Sequence, residues 1–279
     1  MTETSRSVLK LAAEWLAKKG IDSPRLDAEL LLAHALRVKR LDLYLDMDRP
    51  LTDTELEPFR AALRRRVARE PLAYIAGERE FYGLAFEVTK DVLVPRPETE
   101  HLVAVALEEV ERGARRFCDV GTGSGCVAVS IVKKKAEVTG VATDVSEAAL
   151  SVARRNVARH GVTLELVRGD LLEGVAGPLD LVVSNPPYVL PSERTGLDPE
   201  LAFEPPGALF DTGEDLPTTR RLAEQAREKL KPGGLLAVET GAGRAALVRA
   251  HFEAAGFVEI DFVKDLAGHE RIVRGRTRA

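Results

Sequence analysis

Two periodicities divide the chain. Through residue 78, apolar side chains return at the 3.6-residue spacing of amphipathic helices. Val8, Leu11, Ala12, Trp15 and Leu16 form one such face, Leu26, Leu30 and Ala33 a second, and Leu56, Phe59, Leu63 and Val67 a third. The start signals agree. Ser23 precedes Pro24 as an N-cap precedes a first-turn proline, and Thr52 and Glu55 have capping-box spacing. Pro58 sits deep enough in this last helix to predict a later start or a kink, and Pro71 ends it. The expectation is a small bundle of four or five helices.

Beyond it the pattern changes. Residues 81–88 and Val92-Leu93-Val94 predict two strands turning at Thr89-Lys90-Asp91, a hairpin joining the halves. From Phe117 onward short apolar runs alternate with helical faces. The runs are residues 117–120, 138–143, 164–167, 179–183, 235–238, 257–263 and 270–274. Such alternation predicts an α/β fold with a mostly parallel, doubly wound sheet. The final strand must be antiparallel to its predecessor, because Lys264 to His269 is too short for a parallel crossover. Three parts are expected: a helical domain over 1–78, a linking hairpin over 79–95 and an α/β domain over 96–279.

Composition narrows the class without naming a reaction. With 279 residues, 45% hydrophobic and 30% charged, and a formal net charge of −4, the chain has no overall pull toward nucleic acid or anionic membrane. No apolar stretch approaches a bilayer span, and MTETSRSVLK lacks a signal-peptide core, so the expected location is the cytoplasm. Cys118 and Cys126 suit neither a disulfide framework nor a zinc site and read as buried small hydrophobes; no metal is expected. Arg60, Arg64, Arg65, Arg66 and Arg69 are expected to share one helix, either as a solvated face or as a docking surface for an acidic or RNA-bound partner. The only asparagines are Asn156 and Asn185, and the only glutamine is Gln225.

The chemistry gathers at strand ends. Asn185-Pro186-Pro187-Tyr188 follows the apolar run 179–183. Two prolines supply carbonyls but no N–H groups, Asn185 adds an acceptor and a donor, and Tyr188 adds a flat face. That set suits a planar NH₂ group conjugated to a carbonyl or an aromatic ring. Upstream, Gly121-Thr122-Gly123-Ser124-Gly125 has GxGxG spacing, with Cys126 where a dinucleotide fingerprint would have its third glycine. Asp144 ends the next strand, where a carboxylate can accept both ribose hydroxyls, and Asp170 with Leu171 follows the third, placed for an adenine amino group and ring. Pro95-Arg96-Pro97-Glu98-Thr99-Glu100 is a stiff charged segment whose Glu98 or Thr99 can begin a helix.

DVGTGSG, TDVSEAAL, GDLL and VVSNPPY closely resemble class I S-adenosylmethionine-dependent methyltransferases. FYGLAFEV, VLVPRPETE, EPPGAL and HERIVRGR resemble, more narrowly, the release factor glutamine N5-methyltransferases, over essentially the whole chain. The resemblance implies a Rossmann-like methyltransferase sheet behind a helical substrate-recognition domain, S-adenosylmethionine as methyl donor, and release factors as protein substrate, methylated on the glutamine of a Gly-Gly-Gln motif. It implies catalysis by Asn185 and Pro186, substrate contact by Asn185, Pro186, Pro187 and Tyr188, and cofactor contact by Gly121, Thr122, Gly123, Ser124, Gly125, Asp144, Asp170, Leu171 and Asn185. Leu171 is a departure from the pattern, since some relatives carry an aromatic residue at that position; it bears on adenine stacking and not on the reaction. The rival readings are a DNA or RNA methyltransferase acting on adenine N6 or guanine N2, a non-catalytic S-adenosylmethionine-binding regulator, and, last, an NAD oxidoreductase. Against the nucleic-acid enzyme stand the acidic second half and the lack of a basic target-reading domain.

Overall fold

The computed structural model describes residues 3–279, so Met1 and Thr2 of the expected helical domain lie outside the described residues. The chain forms two compact units. One comprises the residues up to Glu78 together with Asp198–Phe203; the other comprises Arg79–Leu197 and Glu204–Ala279. Among the described residues no helix is long and apolar enough to cross a membrane.

Among its described residues the first unit contains five α-helices: α1 (Ser5–Lys18), α2 (Pro24–Leu36), α3 (Arg40–Leu45), α4 (Asp53–Val67) and α5 (Leu72–Ala76). Their buried stripes merge into one core around Leu16, Leu31, Leu32, Leu56 and Phe59. The capping box forms as its spacing predicts: the Thr52 hydroxyl accepts from the Glu55 N–H, and the Glu55 carboxylate accepts from the Thr52 N–H at 2.9 Å. α4 nevertheless runs through Pro58 without a later start. Ser23 makes no side-chain cap bond, so Pro24 alone marks the start of α2.

Four of the five arginines lie on α4, and Arg69 falls just past its end at positive φ; all five have partners within this unit. Arg60 pairs with Glu3 and Asp53, Arg64 with Glu57 and Arg65 with Glu70, while Arg69 donates to the Lys19 carbonyl. Arg66 differs from its neighbours in being buried. Its guanidinium bonds Asp27 at 2.7 Å and Glu200 of the Asp198–Phe203 segment at 2.5 Å, with both Arg66 and Asp27 side chains under a tenth exposed.

The hairpin forms, but one turn earlier than its composition predicts. Its strands are β1 (Glu78–Phe81) and β2 (Leu84–Glu87), and Val92-Leu93-Val94 is not a strand. Tyr82 and Gly83 both take positive φ, as a two-residue type I′ turn requires, and the polar Thr89-Lys90-Asp91 stretch lies beyond the pairing. The Val94 N–H goes instead to the Glu204 carboxylate.

The second unit continues with α6 (Glu100–Glu111), β3 (Arg116–Val120), α7 (Cys126–Lys134), β4 (Thr139–Asp144), α8 (Glu147–His160), β5 (Glu165–Arg168) and β6 (Leu179–Ser184). It ends with α9 (Pro206–Leu209), α10 (Pro217–Lys229), β7 (Leu230–Glu239), α11 (Ala245–Ala254), β8 (Val258–Lys264) and β9 (Glu270–Arg276). The sheet order is β5-β4-β3-β6-β7-β9-β8, parallel from β5 to β7, with β9 antiparallel to both of its neighbours. This is the expected mostly parallel sheet with a terminal antiparallel strand.

Alternating side chains feed two cores. Leu181, Val183, Leu235 and Ala237 face α6 and α7, whereas Val182, Leu236 and Val238 face α10 and α11. Burial on both faces explains why these runs are almost continuously apolar. Cys118 and Cys126 are free and buried, as expected of small hydrophobes. Burial pushes both thiols up, that of Cys126 to about 12, which leaves them un-ionised and inert.

Removing one member of a buried ion pair strands the other's charge, at a cost of about 3–5 kcal/mol. Arg66→Ala is therefore expected to destabilise the helical unit by that amount in urea unfolding followed by far-ultraviolet circular dichroism. Arg64→Ala, at an exposed pair, should cost less than about 1 kcal/mol.

Candidate active site

Sheet register assembles the site. Val120 pairs with Thr143 on one side and Ser184 on the other, and Ser184 pairs in turn with Val238. The next residue along each strand therefore falls in one row at the carboxyl edge: Asp144, Gly121, Asn185 and Glu239. The chain winds outward from β3 through β4 to β5 and then returns to place β6 on the other side of β3. Crevices at such reversals are where open α/β sheets bind ligands. The Ser184 hydroxyl donates to the Val120 carbonyl at 2.8 Å, locking the two strand ends on which the glycine loop and the NPPY segment are mounted.

The glycine loop is bent by its backbone and tied from below. Gly121, Gly123 and Gly125 all have positive φ. A Cβ at Gly121 or Gly123 would meet no protein atom, so the outer side of the loop is open to a ligand, whereas Gly125 packs against Ala153. Thr122 is buried and donates its hydroxyl to Asp119 at 2.6 Å; the Ser124 carbonyl accepts from Asn156 at 2.8 Å. Asn156 also brackets Glu87, accepting from its N–H and donating to its carbonyl. Thus one scarce asparagine holds the loop. The single glutamine, Gln225, accepts from the Leu172 N–H after Leu171.

Asp144 faces the loop directly. One carboxylate oxygen accepts the Gly123 N–H at 2.9 Å and the other the Ser146 N–H at 2.9 Å, which leaves lone pairs for further donors. Burial raises its pKa, offset by those N–H groups. Asp170 and Leu171 follow β5, whose last residue, Arg168, pairs with Asp144, and the Gly169 N–H donates to the Asp144 backbone carbonyl. Asp170 is half-exposed and ion-paired to Arg221 at 2.5 Å, and Leu171, at φ 58°, gives its carbonyl to the Thr143 hydroxyl. Arg221 carries no sequence mark that would have tied it to Asp170.

At the NPPY segment, strand pairing stops at Ser184, where the prolines remove the donors. Pro186 is buried and Asn185, Pro187 and Tyr188 half-buried. Asn185 donates its amide to the Thr99 hydroxyl at 3.1 Å. Tyr188 lies so close to Gly241 that a Cβ there would come within 3.0 Å of the ring. Burial, and then the negative charge of Glu239, raise the Tyr188 phenol above its usual range. The proline-rich segment carrying Thr99 is itself pinned: Arg96 bonds Glu204 at 2.6 Å, and Glu204 is almost wholly buried.

Three residues outside the predicted set belong to this edge. Asp119 is buried beneath the glycine loop, accepting from Thr122 and from the Ala128 N–H, and burial pushes its pKa to about 6. Glu239 is 2% exposed, and burial pushes it to about 7 against the favourable pull of the Thr99 hydroxyl. Thr99 accepts from the Asn185 amide, and Glu239 follows Val238, the strand partner of Ser184. Asp119 stood in plain view within DVGTGSG; Glu239 has no local mark, because only the register of β7 brings it beside Asn185.

Comparison with known proteins agrees with this geometry. Residues 7–77 match the PrmC N-terminal domain, and residues 99–214 match the methyltransferase small domain. The fold is that of methyltransferases. It is similar to the hMettl16 catalytic domain bound to an RNA hairpin (TM-score 0.56, 16% identity, 75% of this chain and 80% of that one). It is also similar to a T. thermophilus 16S rRNA guanine-N2 methyltransferase with AdoMet and guanosine (TM-score 0.52, 15% identity, 72% and 50%).

Full-length likeness is closer. Release factor glutamine methyltransferase of Nitratidesulfovibrio vulgaris is 41% identical over 98% of this chain and 95% of its own, and that of Cereibacter sphaeroides is 42% identical over 97% and 98%. The chain belongs to the release factor glutamine methyltransferase family.

The raised acid at Asp119 has a thermodynamic signature. Its protonated form is favoured on folding, so its penalty is absent below the ordinary carboxylate range and complete above its folded pKa. Relative to Asp119→Asn, the wild type should lose stability as pH rises from about 4 to about 6, and the offset should then level off. Paired thermal melts across pH 4–8 check this, and a flat offset would contradict it.

Proposed function

We propose that the chain transfers a methyl group from S-adenosylmethionine to the side-chain amide nitrogen of a glutamine, that of the Gly-Gly-Gln motif in peptide chain release factors. Membership of the family over nearly the full chain supports the reaction and the substrate. The single observation that carries the site reading is Asn185-Pro186-Pro187-Tyr188 beside the glycine loop at the reversal of the sheet.

The residues present fit the cofactor. Open space above Gly121 and Gly123, the spare lone pairs of Asp144 and the free second oxygen of Asp170 would hold its methionine, ribose and adenine parts. When bound, S-adenosylmethionine supplies an electrophilic methyl group on sulfur.

An amide nitrogen is a weak nucleophile because its lone pair is delocalised into the carbonyl. The Asn185 side-chain oxygen and the Pro186 carbonyl each accept one N–H of the substrate amide, and Tyr188 and Pro187 cover its plane. Held this way, the nitrogen presents its lone pair along one direction, and the acceptors stabilise the positive charge that grows on its N–H groups. Positioning and fixed dipoles then provide the acceleration, and no side-chain base is required, because the N-alkylated amide is acidic enough to lose its extra N–H proton to water afterwards.

Asn185→Ala should lower turnover by about 10²–10³, the usual loss on deleting one preorganised polar group, with a smaller loss of cofactor affinity. Single-turnover methylation with labelled cofactor, together with calorimetric titration, measures both. Near-normal turnover would remove Asn185 from the mechanism.

A further inference from the structure

Asn156 lies on α8, wholly buried, with its amide engaged on both sides. Its Oδ1 accepts the Glu87 N–H at 2.8 Å, and its Nδ2 donates to the Glu87 carbonyl at 3.0 Å and to the Ser124 carbonyl at 2.8 Å. The first two bonds copy what a neighbouring strand offers, one acceptor and one donor meeting the donor and acceptor of a single residue. They also fix the amide, because turning it over would set N–H against N–H and oxygen against two carbonyls. The remaining N–H therefore has one direction, and it points at the glycine loop.

That bond falls where the loop is least able to hold itself. The Ser124 carbonyl and the Gly125 N–H belong to one peptide plane. Gly125 has φ 81°, and glycine accepts either sign of φ, so this plane can rotate with little steric resistance. Two hydrogen bonds stop it. The Gly125 N–H donates to the Thr122 carbonyl at 2.8 Å on one side, and Asn156 holds the Ser124 carbonyl on the other. α8 presses on the same point through Ala153, whose Cβ lies 3.3 Å from where a Gly125 Cβ would be and which shares the face of Asn156. Thr122 is tied to Asp119 and Gly123 to Asp144, so each of the three middle residues of the loop has its own anchor.

We propose that Asn156 is a positioning residue of the cofactor site: it takes its direction from the hairpin strand β2 and locks the Ser124–Gly125 peptide, so that the glycine loop has its binding shape before S-adenosylmethionine arrives. The inference rests on the reading of the glycine loop and Asp144 as the cradle of that cofactor. A loop already held in its bound shape binds more tightly, because the ligand does not have to order it. The consequence is selective. Loss of the lock weakens cofactor affinity, whereas Asn185 and Pro186, mounted on β6, keep their rate once the cofactor is in place.

The test compares Asn156→Ala and Asn156→Asp with His160→Ala. Asn156→Asp keeps an acceptor for the Glu87 N–H but has no N–H for Ser124. His160→Ala removes a different bond from α8 to the hairpin, donated by Nε2 to the Ala85 carbonyl at 2.9 Å, and leaves the loop's bonds alone. Each protein is melted, titrated with S-adenosylmethionine by calorimetry, and followed by hydrogen exchange at the Gly125 amide without cofactor. Both Asn156 variants should bind the cofactor about 10- to 100-fold more weakly, the size of effect seen when an outer partner of a binding group is lost. They should also exchange Gly125 faster and raise KM for the cofactor with kcat nearly kept. His160→Ala should lose stability and keep wild-type affinity. Undiminished affinity in Asn156→Asp, or an equal loss in His160→Ala, would overturn the proposal. If the Asn156 variants do not fold, the wild type decides. Asn156, Asn185 and Gln225 are the only side-chain carboxamides, so a nitrogen–proton spectrum resolves the Asn156 amide. Its protons should shift when S-adenosylmethionine is added, and no shift would overturn the lock. Undiminished cofactor affinity in Asp144→Ala would instead overturn the reading on which the proposal rests.

Discussion

The structure depends on one register. Three parallel strands, β3, β6 and β7, end together because Val120, Ser184 and Val238 lie side by side, and the Ser184 hydroxyl bonds the Val120 carbonyl. Everything with chemistry in it is the next residue along, or hangs from it. A one-residue slip would exchange the two faces of β6, sending Val182 and Val183 into each other's cores, so burial on both faces enforces the alignment. The prolines after Asn185 complete it: they stop the ladder at a defined residue and leave carbonyls facing outward.

Much of this is legible in the chain because it is local. The alternation of apolar runs with helical faces needs only short windows, and so do the glycine loop and the Thr52–Glu55 box. The antiparallel end of the sheet follows from the length of a loop. The structure brings the glycine loop, Asp144 and Asn185 to one edge, while Asp170 pairs with Arg221 and the Leu171 carbonyl accepts from Thr143, the residue before Asp144.

What is not legible is what distance decides. Five arginines between residues 60 and 69 look alike in sequence, yet only Arg66 is buried, because Asp27 and Glu200 come from elsewhere to meet it. Thr-Lys-Asp has turn composition and draws the expected hairpin turn to the wrong place. The real turn has Tyr82 at positive φ, unusual for an aromatic residue, because the pairing of β1 and β2 demands it. Glu239 reads as the polar end of an apolar strand until β7 is set beside β6. Rarity is a better guide than type: Asn156 holds the glycine loop, Gln225 holds the segment after Leu171, and Asn185 stands at the sheet reversal.

Three buried or half-buried acids with raised pKa values, Asp119, Asp144 and Glu239, sit along this edge, and each detracts from stability at neutral pH. Clusters of this kind mark functional sites, where structure is shaped for something other than folding. The most direct test is chemical. Incubate the protein with a purified release factor and methyl-labelled S-adenosylmethionine, then locate the label by mass spectrometry. A single methyl group on the side-chain nitrogen of the Gly-Gly-Gln glutamine is the predicted result. Label on any other residue, or on nucleic acid but not on the release factor, would contradict the account.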